Sequence, residues 1–172
     1  MKKILFILSI CSLMACDIEE KGIDPNLRFF DLNETIESSL SDNPTRKVDM
    51  LVKTNGKEEL RTIESYDMEQ ALNYLQEFNI NKVTWYDKYE LSKTNDSEIY
   101  EAIDENMKVR KMIIKKSNDT ISNIEIDYQS NTIISNLNKQ IIWNLDSGLS
   151  ISNQTKTILG KESDLEIAWK WE

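Results

Sequence analysis

The sequence contains no histidine. This absence removes the residue on which most zinc, copper and haem sites, and the Ser-His-Asp and Cys-His catalytic groups, depend. Glycine is scarce, at four residues, so a glycine-rich phosphate-binding loop is not expected. Carboxylates, lysines and tyrosines remain as acid–base groups. We therefore expect no metal site, no cofactor and no catalytic residues, and we predict that the chain is not an enzyme.

The amino terminus combines a positive start with a short apolar run. Met1-Lys2-Lys3 is followed by a segment from Ile4 to Ala15 that is interrupted by two serines. A transmembrane helix needs about 20 apolar residues, whereas this run has the length of the hydrophobic region of a signal peptide. We predict that residues 1–15 are a secretory signal and not a membrane span.

The apolar run ends in Leu13-Met14-Ala15-Cys16, which resembles the bacterial lipobox. The resemblance implies cleavage between Ala15 and Cys16, a diacylglyceryl group on the Cys16 thiol and acylation of the new amino group. Several acyl chains hold a domain firmly, since each buried methylene contributes about 0.8 kcal/mol. The expected mature protein is attached to a membrane through Cys16 without crossing it. The alternative is an ordinary cleaved signal with an incidental cysteine.

The predicted lipidation uses the last available cysteine. Cys11 lies in the segment that is removed and Cys16 carries lipid, so no disulfide bond is expected, although an extracytoplasmic compartment permits one.

An acidic stretch follows the lipidation site, and residues 16–24 are assigned as an acidic tether. Its cluster Asp17-Ile18-Glu19-Glu20-Lys21 resembles the surface-export tether of Bacteroidetes lipoproteins. An aspartate in this place also resembles the inner-membrane retention signal of enterobacterial lipoproteins. We expect an outer-membrane lipoprotein exposed at the cell surface. The periplasmic face of the outer membrane and the inner membrane stay open as alternatives.

The mature chain is strongly acidic. Removal of Lys2 and Lys3 lowers the number of basic residues from 21 to 19 against 30 acidic residues, a net charge of −11. Such a chain repels phosphate backbones, so nucleic acid is not an expected partner.

Residues 25–172 have the length of one globular domain. Asp24-Pro25 is a helix start signal, and apolar residues then recur at helical spacing as far as Leu40. Asn55-Gly56 predicts a β-hairpin that sets Leu51 opposite Leu60. Asp67 is predicted to cap a second helix. Its expected buried stripe consists of Met68, Ala71, Leu72, Leu75 and Phe78.

The second half of the chain has the two-residue periodicity of strands, separated by short polar links. Because a parallel crossover needs a dozen residues or more, short links predict an antiparallel meander. Residues 98–103 fit either a strand or a helical turn. The predicted strands are 85–91, 107–116, 120–128, 132–137, 140–145, 149–159 and 164–171.

The predicted fold class is therefore α+β. We expect two N-terminal helices with a β-hairpin between them, followed by an antiparallel meander of six to eight strands. The meander forms a curved sheet or half-barrel packed on a helix. In outline this resembles the periplasmic lipoprotein carriers and lipocalin-like folds, although none of their motifs is present.

Two groups of side chains are candidates for a site. The four tryptophans either line a surface that binds sugars or lipid, or fill the core, and core packing is favoured. The carboxylate pairs Asp87 with Glu90 and Asp164 with Glu166 are interpreted as surface charge. A calcium loop is not expected, since Asn118-Asp119-Thr120 lacks spaced ligands. The tryptophans are Trp85, Trp143, Trp169 and Trp171.

These observations predict a lipid-anchored envelope lipoprotein that acts as a non-enzymatic binding or assembly module at the outer membrane. The alternative is a carrier of a hydrophobic ligand held between sheet and helices, and an enzyme ranks third. The expected membrane contact is lipidated Cys16, and the identity of any protein or hydrophobic partner stays open.

Overall fold

The computed structural model of the protein describes residues 29–171, which form one antiparallel sheet with short helices on one face. The helices are α1 (Leu32–Asp42) and α2 (Met68–Leu72), and α2 continues as a 3-10 helix over Asn73–Phe78. A further 3-10 turn covers Val83–Trp85. The strands are β1 (Thr45–Thr54), β2 (Lys57–Asp67), β3 (Tyr89–Lys93), β4 (Ser97–Ala102), β5 (Val109–Ser117), β6 (Thr120–Asn131), β7 (Ser135–Asn144), β8 (Gly148–Thr157) and β9 (Glu162–Trp171).

The nine strands follow the order β2-β1-β9-β8-β7-β6-β5-β4-β3. Strands β3 to β9 form a meander in which each strand pairs with the next one along the chain. The β1–β2 hairpin joins this meander through β9, with Val48 opposite Trp171 and Thr54 opposite Leu165. The sheet is open, and β2 and β3 are its edge strands.

The predicted fold class is wrong. We expected an α+β fold with two N-terminal helices and a β-hairpin between them, followed by a meander of six to eight strands that forms a curved sheet or half-barrel packed on a helix. Most of the described residues instead lie in strands. The hairpin and the meander belong to the same nine-stranded sheet. The second helix has only five α-helical residues. The pairing of β1 with β9 spans most of the chain, so the local periodicity on which the prediction rested carries no information about it.

The hairpin register is confirmed. Leu51 lies opposite Leu60, and the turn at Asn55-Gly56 separates Thr54 from Lys57. Both turn residues have positive φ, 48° and 80°, as the short turn requires.

Three predicted strands differ most from the structure. The segment 85–91 begins as a 3-10 turn, and its strand starts only at Tyr89. The predicted strands 132–137 and 140–145 are one strand, β7, and Thr132 belongs to the turn before it. The Thr132 hydroxyl accepts a hydrogen bond from the amide of Ser135 at 3.0 Å, which closes this turn. Residues 98–103 form a strand, since β4 covers most of them.

Helix α1 begins at Leu32, with Asp31 as its N-cap. One carboxylate oxygen of Asp31 accepts from the amide of Asn33 at 3.1 Å. The predicted start at Asp24-Pro25 lies outside the described residues. Phe29 precedes the helix and packs on the rings of Tyr86 and Tyr100.

The core lies between the helices and one face of the sheet, which we call the covered face. Leu32 and Ile36 of α1, together with all five residues of the predicted stripe of the second helix, are buried there. Trp143 and Trp171 are 1% and 3% exposed, and Trp85 and Trp169 are partly buried against the same core. The prediction that the tryptophans fill the core agrees with these positions.

Within residues 29–171, the helices are too short and too polar for any of them to cross a lipid bilayer.

Candidate functional site

Among residues 29–171, no helix packs on the opposite face of the sheet, which we call the uncovered face. Side chains of directly paired residues in an antiparallel sheet point to the same side. Ile141 and Ile151 are paired and buried on the covered face, so the neighbouring pair Gln140 and Ser152 lies on the uncovered face. This face is where a ligand or partner has direct access to the sheet.

Six exposed side-chain amides occupy adjacent positions on the uncovered face of β6, β7 and β8. In one row across the sheet, Gln129 lies opposite Asn138 and Asn138 opposite Gln154. Asn131 lies opposite Asn136 in the next row towards the β6–β7 turn. We call the whole set the amide strip: Gln129, Asn131, Asn136, Asn138, Gln140 and Gln154.

Most side chains of the amide strip have hydrogen-bond donors and acceptors without a partner in the described chain. Gln140 donates to the Asp127 carboxylate at 3.4 Å. The other five side-chain amides make no hydrogen bond to another residue of the described chain. Each amide offers two donors and a carbonyl acceptor. Asparagine is also a poor strand former, so its concentration in the centre of a sheet costs stability and calls for a functional reason.

Charged pairs flank the amide strip on both sides. On the β1–β2–β9 side, Lys53 contacts Glu58 at 3.3 Å and Glu166 at 3.8 Å. On the β4–β5 side, Lys111 contacts Glu101 at 2.6 Å. The centre of the uncovered face is therefore dominated by uncharged amides, with the Asp127 carboxylate beside Gln140 and paired charges at the margins, which favours a neutral polar ligand at the centre.

Two shallow depressions lie over the amide strip. One of about 300 Å³ is lined by Gln129, Asn138 and Gln140, together with the charged side chains of Arg110 and Asp127. The other, of about 410 Å³, is lined by Asn136 and by Asn138, which both depressions share, and its outer part is lined by Lys156, Glu162 and Asp164. Both are open to solvent, so they suit a segment of an extended chain lying across the strands.

A second unusual site lies on the covered face around Lys139. Its ammonium group is 4.6 Å from the ring centroid of Tyr74, 5.0 Å from that of Phe78 and 5.4 Å from that of Tyr128. The side chain is 9% exposed, and burial lowers the pKa of Lys139. Glu77 Oε1 lies 3.6 Å away, and burial raises the pKa of Glu77. Three rings enclose the amine, so Lys139 closes the end of the core and is poorly placed to attack a substrate.

A polar network at the other side of the sheet centres on Glu98. Its carboxylate accepts from the Tyr100 hydroxyl and from Lys116, both at 2.7 Å, and Lys93 lies at 3.3 Å. Burial alone would raise the pKa of Glu98, but the two hydrogen bonds and the lysine charges outweigh it and lower the pKa to about 2. Burial and the bond to Glu98 raise the pKa of Tyr100. Every member has a partner, so the network is structural.

A cleft of about 540 Å³ lies between α1 and the turns that follow β5 and β7. Four carboxylates line it, but Asp31 is committed to structure: besides capping α1, it accepts from the side-chain amides of Asn79 at 3.0 Å and Asn81 at 3.1 Å. Among residues 29–171, no group of three or more Asp, Glu, His or Cys side chains is arranged to hold a metal ion.

The predicted site residues fall into two classes. Ala15 and Cys16 lie outside the described residues. The carboxylate pairs are at the surface: Asp87 contacts Lys88 at 3.4 Å, and Glu166 contacts the Lys53 ammonium. The structure does not bring these carboxylates into one cleft.

Sequence reasoning missed the amide strip, although a signal was present. Gln129 and Asn131, and then Asn136, Asn138 and Gln140, recur at two-residue spacing. Within each of the two strands this spacing places the side chains on one face.

The comparisons with known proteins complete the description of the site. No protein-family model matches the chain, and neither a curated protein nor a solved structure matches it. The function is therefore argued from the chain's own residues.

Proposed function

We propose that the chain is a lipid-anchored envelope lipoprotein that acts as a non-enzymatic binding module, with the amide strip as its contact surface. In this proposal residues 1–15 are removed as a signal peptide, Cys16 carries the lipid and residues 16–24 tether the domain. The anchor holds the domain at the outer membrane, exposed at the cell surface.

The amide strip is the observation that carries the proposal. It combines six exposed uncharged amides, five of which lack partners in the described chain, in a protein whose net charge is −9. Uncharged amides bind ligands through paired hydrogen bonds, and their desolvation costs less than that of charged groups.

The chemical class of ligand that fits the strip is a neutral glycan. Neighbouring hydroxyl groups of a sugar each donate and accept, which matches an amide that offers both functions. The two depressions share Asn138 and form a track longer than one sugar ring. The described tryptophans lie in or against the core, so binding depends on hydrogen bonds and is expected to be of modest affinity.

The carrier alternative gains no specific support from residues 29–171. The space between helices and covered face is filled by core side chains such as Leu75, Phe78 and Ile141, each fully buried. The cleft beside α1 is open and lined partly by carboxylates, which does not suit an acyl chain.

Membrane fractionation tests the anchor. Cys16→Ser removes the acceptor thiol, so the variant should leave the membrane fraction while the parent protein stays in it. A Cys11→Ser variant is the matched control and should remain membrane-bound. If Cys16→Ser is retained on membranes as fully as the parent, lipidation is not the attachment. Protease added to intact cells should digest the protein if it is exposed at the surface.

Affinity electrophoresis through a soluble neutral glucan tests the amide strip. The double variant Asn138→Asp with Gln154→Glu keeps the side-chain shapes but places two negative charges on adjacent strands. It should lose the retardation shown by the parent, while Asn95→Asp, in the turn between β3 and β4, should keep it. Equal mobility of the parent with and without glucan would reject the glycan ligand.

A further inference from the structure

Two neighbouring turns at one end of the sheet carry four exposed aliphatic side chains. Ile133 and Ile134, between β6 and β7, are 92% and 68% exposed, and Ile158 and Leu159, between β8 and β9, are 73% and 82% exposed. The amide of Ile158 donates to the carbonyl oxygen of Ile134 at 2.9 Å, so the turns lie side by side. We call these four residues the apolar tip. A contiguous exposed apolar patch marks a contact surface.

Both turns satisfy many of their own polar groups. The amide of Thr132 donates to the carbonyl oxygen of Ser135 at 2.8 Å, and the amide of Thr157 donates to that of Lys161 at 2.9 Å. The Thr132 hydroxyl also accepts a hydrogen bond from the amide of Ser135, and the Thr157 hydroxyl accepts one from the amide of Lys161. Because these groups already have partners, moving the turns out of water leaves fewer donors unpaired.

The charge of the two turns differs from that of the whole chain. Residues 132–135 and 157–161 contain no carboxylate, and Lys161 adds a positive charge. The nearest acidic residue along the chain, Glu162, is paired with Lys156 at 2.8 Å. The acidic domain as a whole repels an anionic surface. These two turns carry no negative charge and do not repel it.

We propose that the apolar tip inserts into a lipid bilayer. The shape favours a bilayer over a second copy of the chain, because the side chains project from the ends of two hairpins and the depression between the turns, about 200 Å³, is small and open to solvent. Burying one aliphatic side chain removes roughly 100 Å² from water. Four of them offer roughly 400 Å², half of the roughly 800 Å² that each partner of a stable protein interface contributes.

The length of the chain between the predicted anchor and the domain allows both contacts with one membrane. Phe29 is 13 residues after Cys16, a span of at most about 45 Å. Strand β8, which leads directly to Ile158 of the apolar tip, has 10 residues and is about 33 Å long. The chain between Cys16 and Phe29 can therefore span more than the length of this strand. The inference rests on the proposed function only for the identity of the membrane that the apolar tip meets. Insertion of the apolar tip does not itself need the lipid on Cys16.

A polarity-sensitive dye on the full chain tests the insertion. The chain carries Cys11→Ser and Cys16→Ser, and a single labelling site is introduced by Ile133→Cys. With vesicles of phosphatidylethanolamine and phosphatidylglycerol, the dye should shift to the blue and lose its quenching by aqueous iodide. The matched control places the dye through Asn95→Cys in the β3–β4 turn, where neither change is expected. Both variants keep residues 1–15, so any membrane affinity of that segment is common to them.

The contrary results are equally specific. An unshifted dye at position 133, or equal shifts at both positions, would overturn the insertion. A dimer seen by light scattering without vesicles, and lost on Ile133→Ser with Leu159→Ser, would assign the apolar tip to a second copy instead. Release of Cys16→Ser from cell membranes is a separate measurement, so the anchor and the insertion fail independently.

Discussion

Replacement of Glu98 by glutamine is expected to destabilise the protein in a pH-dependent way. The carboxylate lies in the network with Tyr100, Lys116 and Lys93, and its side chain is 16% exposed. Glutamine has nearly the same shape but no charge. The substitution therefore removes the ionic part of the network and leaves its packing in place.

The magnitude follows from the pKa. A value lowered from 4.5 to about 2 corresponds to about 3 kcal/mol of preferential stabilisation of the ionised form. Lys93 is 55% exposed, so solvent screening reduces the usable contribution to about 1.5–2 kcal/mol. Because the folded-state pKa is below the unfolded one, this stabilisation is present above about pH 4.5 and is lost as the pH falls towards 2.

Urea unfolding of Glu98→Gln and the parent, both in the Cys16→Ser background, measures the effect. The free energy of unfolding should differ by about 1.5–2 kcal/mol at pH 7, and the difference should shrink as the pH falls from 4.5 to 2. Glu162→Gln, in the exposed pair with Lys156, is the control and should show no comparable loss. A difference that does not change with pH, or one equal to that of Glu162→Gln, would refute the reasoning.

Three further substitutions probe single features of the fold. Gly148→Ala would place its Cβ 2.5 Å from the carbonyl oxygen of Trp169, so a loss of about 2 kcal/mol or more is expected in urea unfolding. Asp31→Ala removes the cap of α1 and the acceptor of Asn79, and it should cost about 2–3 kcal/mol by the same measurement. Burial lowers the pKa of Lys139, so near that pKa the unfolded state binds more protons than the folded state. The melting temperature should therefore rise as the pH climbs towards 10.5. Lys139→Met should abolish that rise.

Controls for these substitutions come from exposed positions. Glu34→Ala, on the exposed side of the first turn of α1, should cost much less than Asp31→Ala. Gly160→Ala has no neighbour within 4 Å of its added Cβ, but φ of +74° adds about 1 kcal/mol of strain, less than the expected clash at Gly148. Parent-like stability of Gly148→Ala would mean that β8 and β9 separate easily at that point.

Local features of the fold were predictable from sequence. The Asn55-Gly56 turn predicts both the hairpin and its register, because two-residue turns fix which residues lie opposite one another. Asp67 caps α2 as predicted, accepting from the amide of Glu69 at 3.0 Å. Both features depend on residues only a few positions apart.

The features that decide the fold class and the candidate site depend on distant residues. Pairing of Val48 with Trp171 merges the hairpin with the meander, and short-range patterns cannot indicate it. The turn at Thr132 was missed because threonine and isoleucine are strand formers, whereas hydrogen bonds to Ser135 close the chain there. The amide strip needed the register of β6, β7 and β8 before its rows could be recognised.

The position of β9 between β1 and β8 has a consequence for biogenesis. A chain that emerges amino terminus first presents the β1–β2 hairpin early, yet the hairpin's only neighbour in the described sheet is made more than 90 residues after it. Until β9 is synthesised, the edge of β1 that pairs with it is exposed and can pair with a strand of another chain. Nearly the whole polypeptide therefore has to be available before the sheet can protect that edge from aggregation.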